Sequence, residues 1–216
     1  MPFKRFLMFF SLVFLMKING QSTASKQVIT FTIEAPQLDT AKKIWLYLAK
    51  DYENSKKAYP VIYMHDTQNL FNIKTLCFGE WRVDEYLDSF TTNKSTSLGI
   101  NHVGEKRIDE LTPYSHEKYS GGKGDYYLSF IKKILKLHIH QNYRILSQPN
   151  HTNLFDLSLG GLISFYAVIK YPESFSKAGI FSSVFWTNLE VFELVENLDI
   201  SNNIITNCEH NEKFWP

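Results

Sequence analysis

Cysteine is scarce. Cys77 and Cys208 are the only two in 216 residues, too few for a disulfide-stapled scaffold and wrongly spaced for a zinc site. The reading favoured is two separate small residues, although an exported chain could join them by one bridge. An excess of either charge is also missing. The 23 Lys+Arg interleave with 22 Asp+Glu for a formal net charge of +1, so no basic stripe points to nucleic acid and no acidic tail points to disorder. Internal repeats and low-complexity tracts are absent. No G-x-G-x-x-G or G-x-x-x-x-G-K-[ST] follows any predicted strand, which argues against a nucleotide cofactor, and no cofactor is expected. Metal catalysis has no support either: His138 and His140 lie two apart at a predicted helix end, and solvated histidines are the simpler reading.

The longest apolar run is short. Phe6 to Met16 follows Lys4 and Arg5 and precedes Ile18-Asn19-Gly20 and a polar stretch. That order matches a signal peptide over residues 1–20, and the run is too short to span a bilayer comfortably. The expectation is an exported protein, periplasmic or secreted, with no membrane span once the signal is removed. Residues 21–216 then form one domain, which with 44% hydrophobic and 21% charged residues in the chain can bury a sizeable core.

Hydrophobic periodicity outlines that domain. Ile29, Phe31 and Ile33 alternate with polar residues in a half-buried strand. Ile44, Leu46 and Leu48 alternate with Trp45 and Tyr47, so both faces are apolar and burial on two sides is expected. Pro60 opens the continuous run Val61-Ile62-Tyr63-Met64, which is of strand length. Glu80 to Phe90 reads as a helix, Leu98-Gly99-Ile100 as a thin strand, and Asn101 to Lys123 as a long polar loop. Tyr127, Leu128, Ile131, Ile134 and Leu135 recur at helical spacing. A short strand at Leu154-Phe155, a helix from Gly160 to Tyr171, a strand at Ala178 to Phe181 and a helix at Leu189 to Leu198 complete the pattern. Strands alternating with helices, the strands apolar on two sides, predict an α/β domain with a mainly parallel sheet flanked by helices.

The chemistry-bearing segment is Leu157-Ser158-Leu159-Gly160-Gly161, placed between a strand and a helix like a nucleophile elbow. Such a turn lifts the serine Oγ above the sheet, and the amide of Leu159 can point at an oxyanion. One position departs from G-x-S-x-G: Asp156 stands where glycine would avoid crowding the turn. By itself this short motif is also compatible with ordinary helix capping.

The wider setting resembles the esterase branch of the α/β-hydrolases, which includes feruloyl esterases, formylglutathione-hydrolase-like esterases and siderophore-ester hydrolases. Tyr59-Pro60-Val61-Ile62-Tyr63-Met64-His65-Asp66-Thr67-Gln68-Asn69-Leu70-Phe71 is similar to that family's Y-P-V-L-Y-M-H-D-G-Q-N-L-F. Gly79 to Glu85, Gly104 to Glu110, Gly161 to Ser164, Lys170-Tyr171-Pro172 and Phe181-Ser182-Ser183 follow in the family's order. The resemblance implies the α/β-hydrolase fold and hydrolysis of a small-molecule carboxylic ester through an acyl-enzyme on Ser158. It also implies His210 as base, since Cys208-Glu209-His210-Asn211-Glu212-Lys213-Phe214-Trp215 is similar to the family's G-x-H-N-E-x-x-W context. The oxyanion hole would use the backbone amides of Leu159 and Gln68. His65 and Asp66 read as loop-shaping residues, and Thr67 replaces a glycine of the family's pattern.

The catalytic acid has no evident place. Only 23 residues separate Trp186 from His210, little room for the strand, loop and helix that would present it. The acid is either absent, the reading favoured, or taken from Asp199, Glu209 or Glu212. Together with the thin strand at Leu98 and the bare run His151 to Phe155, this predicts a shortened domain lacking part of its C-terminal third. Two functional readings follow: a serine esterase, or a non-catalytic homologue that keeps the fold alone.

Overall fold

A computed structural model describes residues 22–75, 79–102 and 104–196, and the backbone of 204–207. The predicted signal segment and His210, Asp199, Glu209, Glu212, Cys77 and Cys208 lie outside the described residues.

Two neighbouring strands, β1 (Val28–Ala35) and β2 (Thr40–Tyr47), form an antiparallel hairpin in which Phe31 faces Ile44 and Ile29 faces Leu46. β2 is buried on both sides, as its two-sided apolar pattern requires. Ile44 and Leu46 enter the main core, while Trp45 and Tyr47 enter a second cluster with Met64, Leu70, Phe71 and Leu87. Successive side chains of a strand point to opposite faces, so this division follows from the period of two. β3 (Val61–Met64) divides in the same way, Tyr63 to one cluster and Met64 to the other.

β4 (Thr96–Ile100) is not thin. All five residues are buried, and it pairs antiparallel with β2 and parallel with β3. Its Gly99 is required by a close approach: a Cβ there would stand 2.7 Å from Thr67 Oγ1 and 2.9 Å from Thr67 Cγ2. The supposed loop 101–123 contains a helix, α2 (Lys106–Leu111), and a two-rung hairpin of β5 (Ser115–His116) and β6 (Ser120–Gly121). α2 is tied down by Arg107 Nε, which donates to both Asp66 carboxylate oxygens at 2.9 Å, and its buried Glu110 accepts from Lys42 of β2 at 2.5 and 2.6 Å.

The predicted long helix forms as α3 (Gly124–Phe130), a π-helical turn (Ile131–Leu135) and α4 (Lys136–Asn142). His138 and His140 on α4 are half-buried rather than freely solvated: the His138 ring packs on Phe31 with centroids 5.0 Å apart, and burial lowers the His140 pKa. β7 (Thr152–Leu157) is longer than expected and leads without a loop into α5 (Ser158–Lys170). Leu159 through Val168 are all buried, so α5 is a core helix, apolar all round. The remaining helix, α1 (Val83–Asp88), occupies the middle of the predicted 80–90 segment. Of the helix expected at 189–198, the described residues, through 196, form only a 3-10 turn, Leu189–Phe192, with Val191 buried and the Phe192 ring set edge-on to Phe165 and tilted against Phe185.

β8 (Lys177–Phe181) pairs parallel with β7, and β9 (Ile204–Asn207) pairs parallel with β8 through Ala178↔Ile204 to Phe181↔Asn207. A strand therefore does fit between Trp186 and position 210, contrary to the expectation from spacing. Among the described residues the main sheet runs β1-β2-β4-β3-β7-β8-β9. The chain passes from β3 to β4 on one side and later returns to β7 on the other, so the order reverses at β3. Crevices at the carboxyl ends of strands beside such a reversal are where open α/β sheets bind ligands.

Candidate active site

Three neighbouring strands end in the same unusual way. Asp66 after β3 has φ +50, Ser158 after β7 has φ +56 and Ser182 after β8 has φ +41. An L-residue in this left-handed region is strained by roughly 1–2 kcal/mol, and here the strain buys abrupt exits that turn the chain back over the sheet rim. At Ser158 the exit is a strand-to-helix turn with no intervening loop, and the serine is half-buried at the head of α5.

Ser158 opens on a pocket of about 190 Å³ whose lining includes Leu159, Ile108, Val184, Tyr119 and Trp186. The two ring walls meet edge to face, the Tyr119 and Trp186 centroids 5.8 Å apart, and His116 stacks on Tyr119 at 4.9 Å. His116 Nδ1 accepts the Lys118 amide at 3.1 Å. Its neutral form therefore carries the proton on Nε2 and is a donor there, unsuited to taking a proton from Ser158. The sequence reading missed this aromatic wall, because it is assembled from the β5–β6 hairpin and the turn after β8, far apart in the chain.

Leu159 is the second residue of α5 and lines the same pocket. Its amide lies in the first helical turn, where N–H groups have no partner within the helix and the helix dipole favours negative charge. Gln68 lies in the 3-10 turn Thr67–Asn69 directly after β3. β3 and β7 pair side by side through Tyr63↔Leu154, so Gln68 and Ser158 follow the carboxyl ends of adjacent strands, one on a loop and the other at a strand-to-helix turn. The left-handed residue of the first loop is Asp66, not Thr67. A threonine is tolerated at 67 because the backbone freedom is needed one residue earlier and its side chain lies over Gly99.

Asp156, which departs from the elbow pattern, does not crowd the turn. Its side chain is buried beneath it, 2% exposed, with Oδ2 accepting the His65 amide at 2.5 Å and Oδ1 accepting the Leu157 amide at 2.7 Å. Burial, reinforced by the nearby Asp66 carboxylate, raises its pKa well above the usual carboxylate range. His65 is equally buried: Nδ1 lies 2.7 Å from Tyr127 Oη and Nε2 lies 3.2 Å from Ser164 Oγ. Because Ser164 Oγ donates to the Gly160 carbonyl at 2.7 Å, it accepts from His65 Nε2–H, and Tyr127 donates to Nδ1. Burial pushes the His65 pKa down to about 4, with Arg107 adding to the shift and Asp66 opposing it. A neutral, fully bonded imidazole in this place shapes the loop, as expected. Among the described residues no group of His, Cys, Asp or Glu could hold a metal ion, and no helix is long and apolar enough to cross a membrane.

Similarity to known proteins agrees with this architecture. The family model Esterase, described as "Putative esterase", matches residues 35–214. The protein YbbA of Bacillus subtilis (strain 168), described as uncharacterized, is 32% identical over 155 residues, 67% of this chain; the chain spans 58% of that relative's length. Among solved structures, the BES protein from Bacillus cereus superposes with a TM-score of 0.71 at 19% identity, covering 88% of this chain and 77% of that one. An IroE-like serine hydrolase from Shewanella oneidensis gives 0.63 at 21% identity, covering 77% and 55%. The siderophore hydrolase EstB from Aspergillus nidulans gives 0.62 at 15%, covering 88% and 72%. With a mainly parallel sheet, helices on its faces and a family match over most of its length, the chain belongs to the Esterase family and has the α/β-hydrolase fold.

Proposed function

We propose that this chain hydrolyses small-molecule carboxylic esters, with Ser158 as nucleophile. The observation that carries the reading is the left-handed serine at a strand-to-helix turn, open to a pocket beside the reversal of strand order. Ser158 Oγ attacks the ester carbonyl while His210 takes its proton; the carbonyl oxygen becomes an oxyanion that accepts from the amides of Leu159 and Gln68. Collapse expels the alcohol, which receives that proton, and leaves an acyl-Ser158. Water, deprotonated by the same imidazole, then releases the acid and restores the serine. The mechanism assigns His210 no acid partner: that group is absent, the reading favoured, or supplied by Asp199, Glu209 or Glu212. A pocket of about 190 Å³ with apolar and aromatic walls suits one small acyl or alcohol group. The basic and apolar segment at residues 4–16 supports export, so the substrate would be met outside the cytoplasm.

A fluorophosphonate probe tests the mechanism by phosphonylating an activated serine. Wild type should label, Ser158→Ala should not, and hydrolysis of p-nitrophenyl acetate should fall on the order of 10⁴-fold or more in Ser158→Ala. Hydrolysis undiminished by that change, or a wild type inert to the probe, would leave only the fold-retaining, non-catalytic reading.

A further inference from the structure

The Asp156 carboxylate touches both loops that the mechanism needs held together. β3 and β7 exchange regular parallel pairing up to Tyr63↔Leu154. Two residues further along each strand the Asp156 side chain intervenes: Oδ2 takes the His65 amide, and Oδ1 takes the amide of Leu157, the residue before Ser158. Three residues beyond His65 is Gln68. The carboxylate thus bridges the root of the nucleophile turn and the root of the loop bearing an oxyanion amide.

The surroundings are built around this bridge. A Cβ at position 160 would lie 2.6 Å from Asp156 Cγ and 2.8 Å from Oδ1, so glycine at 160 makes the space that the carboxylate fills. The ring of contacts closes on the far side: His65 bonds Ser164 through Nε2, and Ser164 Oγ donates to the carbonyl of Gly160. Three members of this ring, His65, Asp156 and Ser164, carry buried polar side chains. Buried polar groups so placed fix one geometry, because each alternative leaves a donor or acceptor unpaired.

We infer that Asp156 is a positioning residue that sets the separation between the Ser158 turn and the Gln68 amide. This rests on the reading of Ser158 as nucleophile. Asparagine at 156 keeps the shape but can accept only one of the two amides with its single oxygen, and glycine accepts neither.

The test compares wild type with Asp156→Asn and Asp156→Gly, normalising p-nitrophenyl acetate turnover to serine sites titrated to completion by the fluorophosphonate. An oxyanion donor acts on the transition state, and displacement by about 1 Å can cost on the order of 100-fold. The expected result is kcat per site lower by about tenfold in Asp156→Asn and about 100-fold in Asp156→Gly, with KM changed less than about twofold. Equal kcat per site in all three proteins, even with lowered melting temperatures, would overturn the proposal and leave Asp156 as packing alone. Should neither variant fold, Ser164→Ala opens the same ring from the other side without touching substrate. A fewfold loss of kcat at constant KM is expected there, and no loss overturns the proposal. A wild type that never labels removes the nucleophile reading and, with it, anything for Asp156 to position.

Discussion

Acidification from pH 7 to pH 5 should weaken the fold through His65. The imidazole is 1% exposed and fully engaged in its neutral form, so protonation must either place a charge in the core or open it. Its pKa is about 4 in the folded protein against an ordinary 6.5. Between those values the unfolded chain binds a proton that the folded chain refuses. Stability is therefore fully present above 6.5 and is lost as pH falls toward 4. The full gap is worth roughly 3 kcal/mol, of which roughly 2 kcal/mol is lost by pH 5. Asp156, with a raised pKa, acts in the opposite direction, so a bare pH profile would mix the two. Urea unfolding of wild type and His65→Gln at pH 7 and pH 5 separates them, because the groups common to both proteins cancel in the difference. Wild type should lose roughly 2 kcal/mol more than the variant over this interval. Parallel losses, agreeing to about 0.5 kcal/mol, or an NMR titration midpoint for His65 near 6.5, would refute the reasoning.

Lys136 offers the alkaline counterpart. Burial pushes its pKa down to about 8, Glu173 opposing and Lys132 reinforcing, so its unfavourable contribution is present below 8 and relieved as pH rises toward 10.5. The melting temperature of wild type relative to Lys136→Met should accordingly rise between pH 7 and pH 10. Gly99→Ala would drive a Cβ into Thr67, costing about 1–3 kcal/mol. In a double-mutant cycle by urea unfolding, adding Thr67→Gly should recover part of that loss. Trp186→Ala removes one wall of the pocket and should raise KM for aryl esters roughly 2- to 10-fold with little change in kcat, read from initial rates.

Strands and helices with strong periodicity were legible from the residues alone. Val61 to Met64 and the helix after Ser158 formed where the pattern placed them, because burial on two sides leaves a strand or core helix few alternatives. β4 looked weak since Thr96, Ser97 and Gly99 carry little apolar surface, yet pairing on both sides buries all of them and Gly99 accommodates Thr67. Position 156 was read locally as an obstacle to the turn; what makes an aspartate fit is the space at Gly160 and the amide of His65, 91 residues away. No pattern marks Lys42 as the buried partner of Glu110, for both residues sit in stretches rich in ordinary surface charge. The aromatic wall was likewise invisible, since only tertiary folding brings Tyr119 to Trp186. Ser158 and Leu159, by contrast, are proposed from a motif confined to adjacent residues, which can be read without any distant partner.

The left-handed exits at Asp66, Ser158 and Ser182 carry an implication for how this protein could be hardened against heat. At Ser182, an exposed position, glycine would adopt the same backbone without steric penalty, and selection for thermotolerance has an easy target there. At Ser158 the identical exchange would relax the chain just as well and discard the hydroxyl. Asp66 falls between the two, because its side chain anchors Arg107. Three copies of one conformational burden on a single rim thus differ in how freely evolution can shed them.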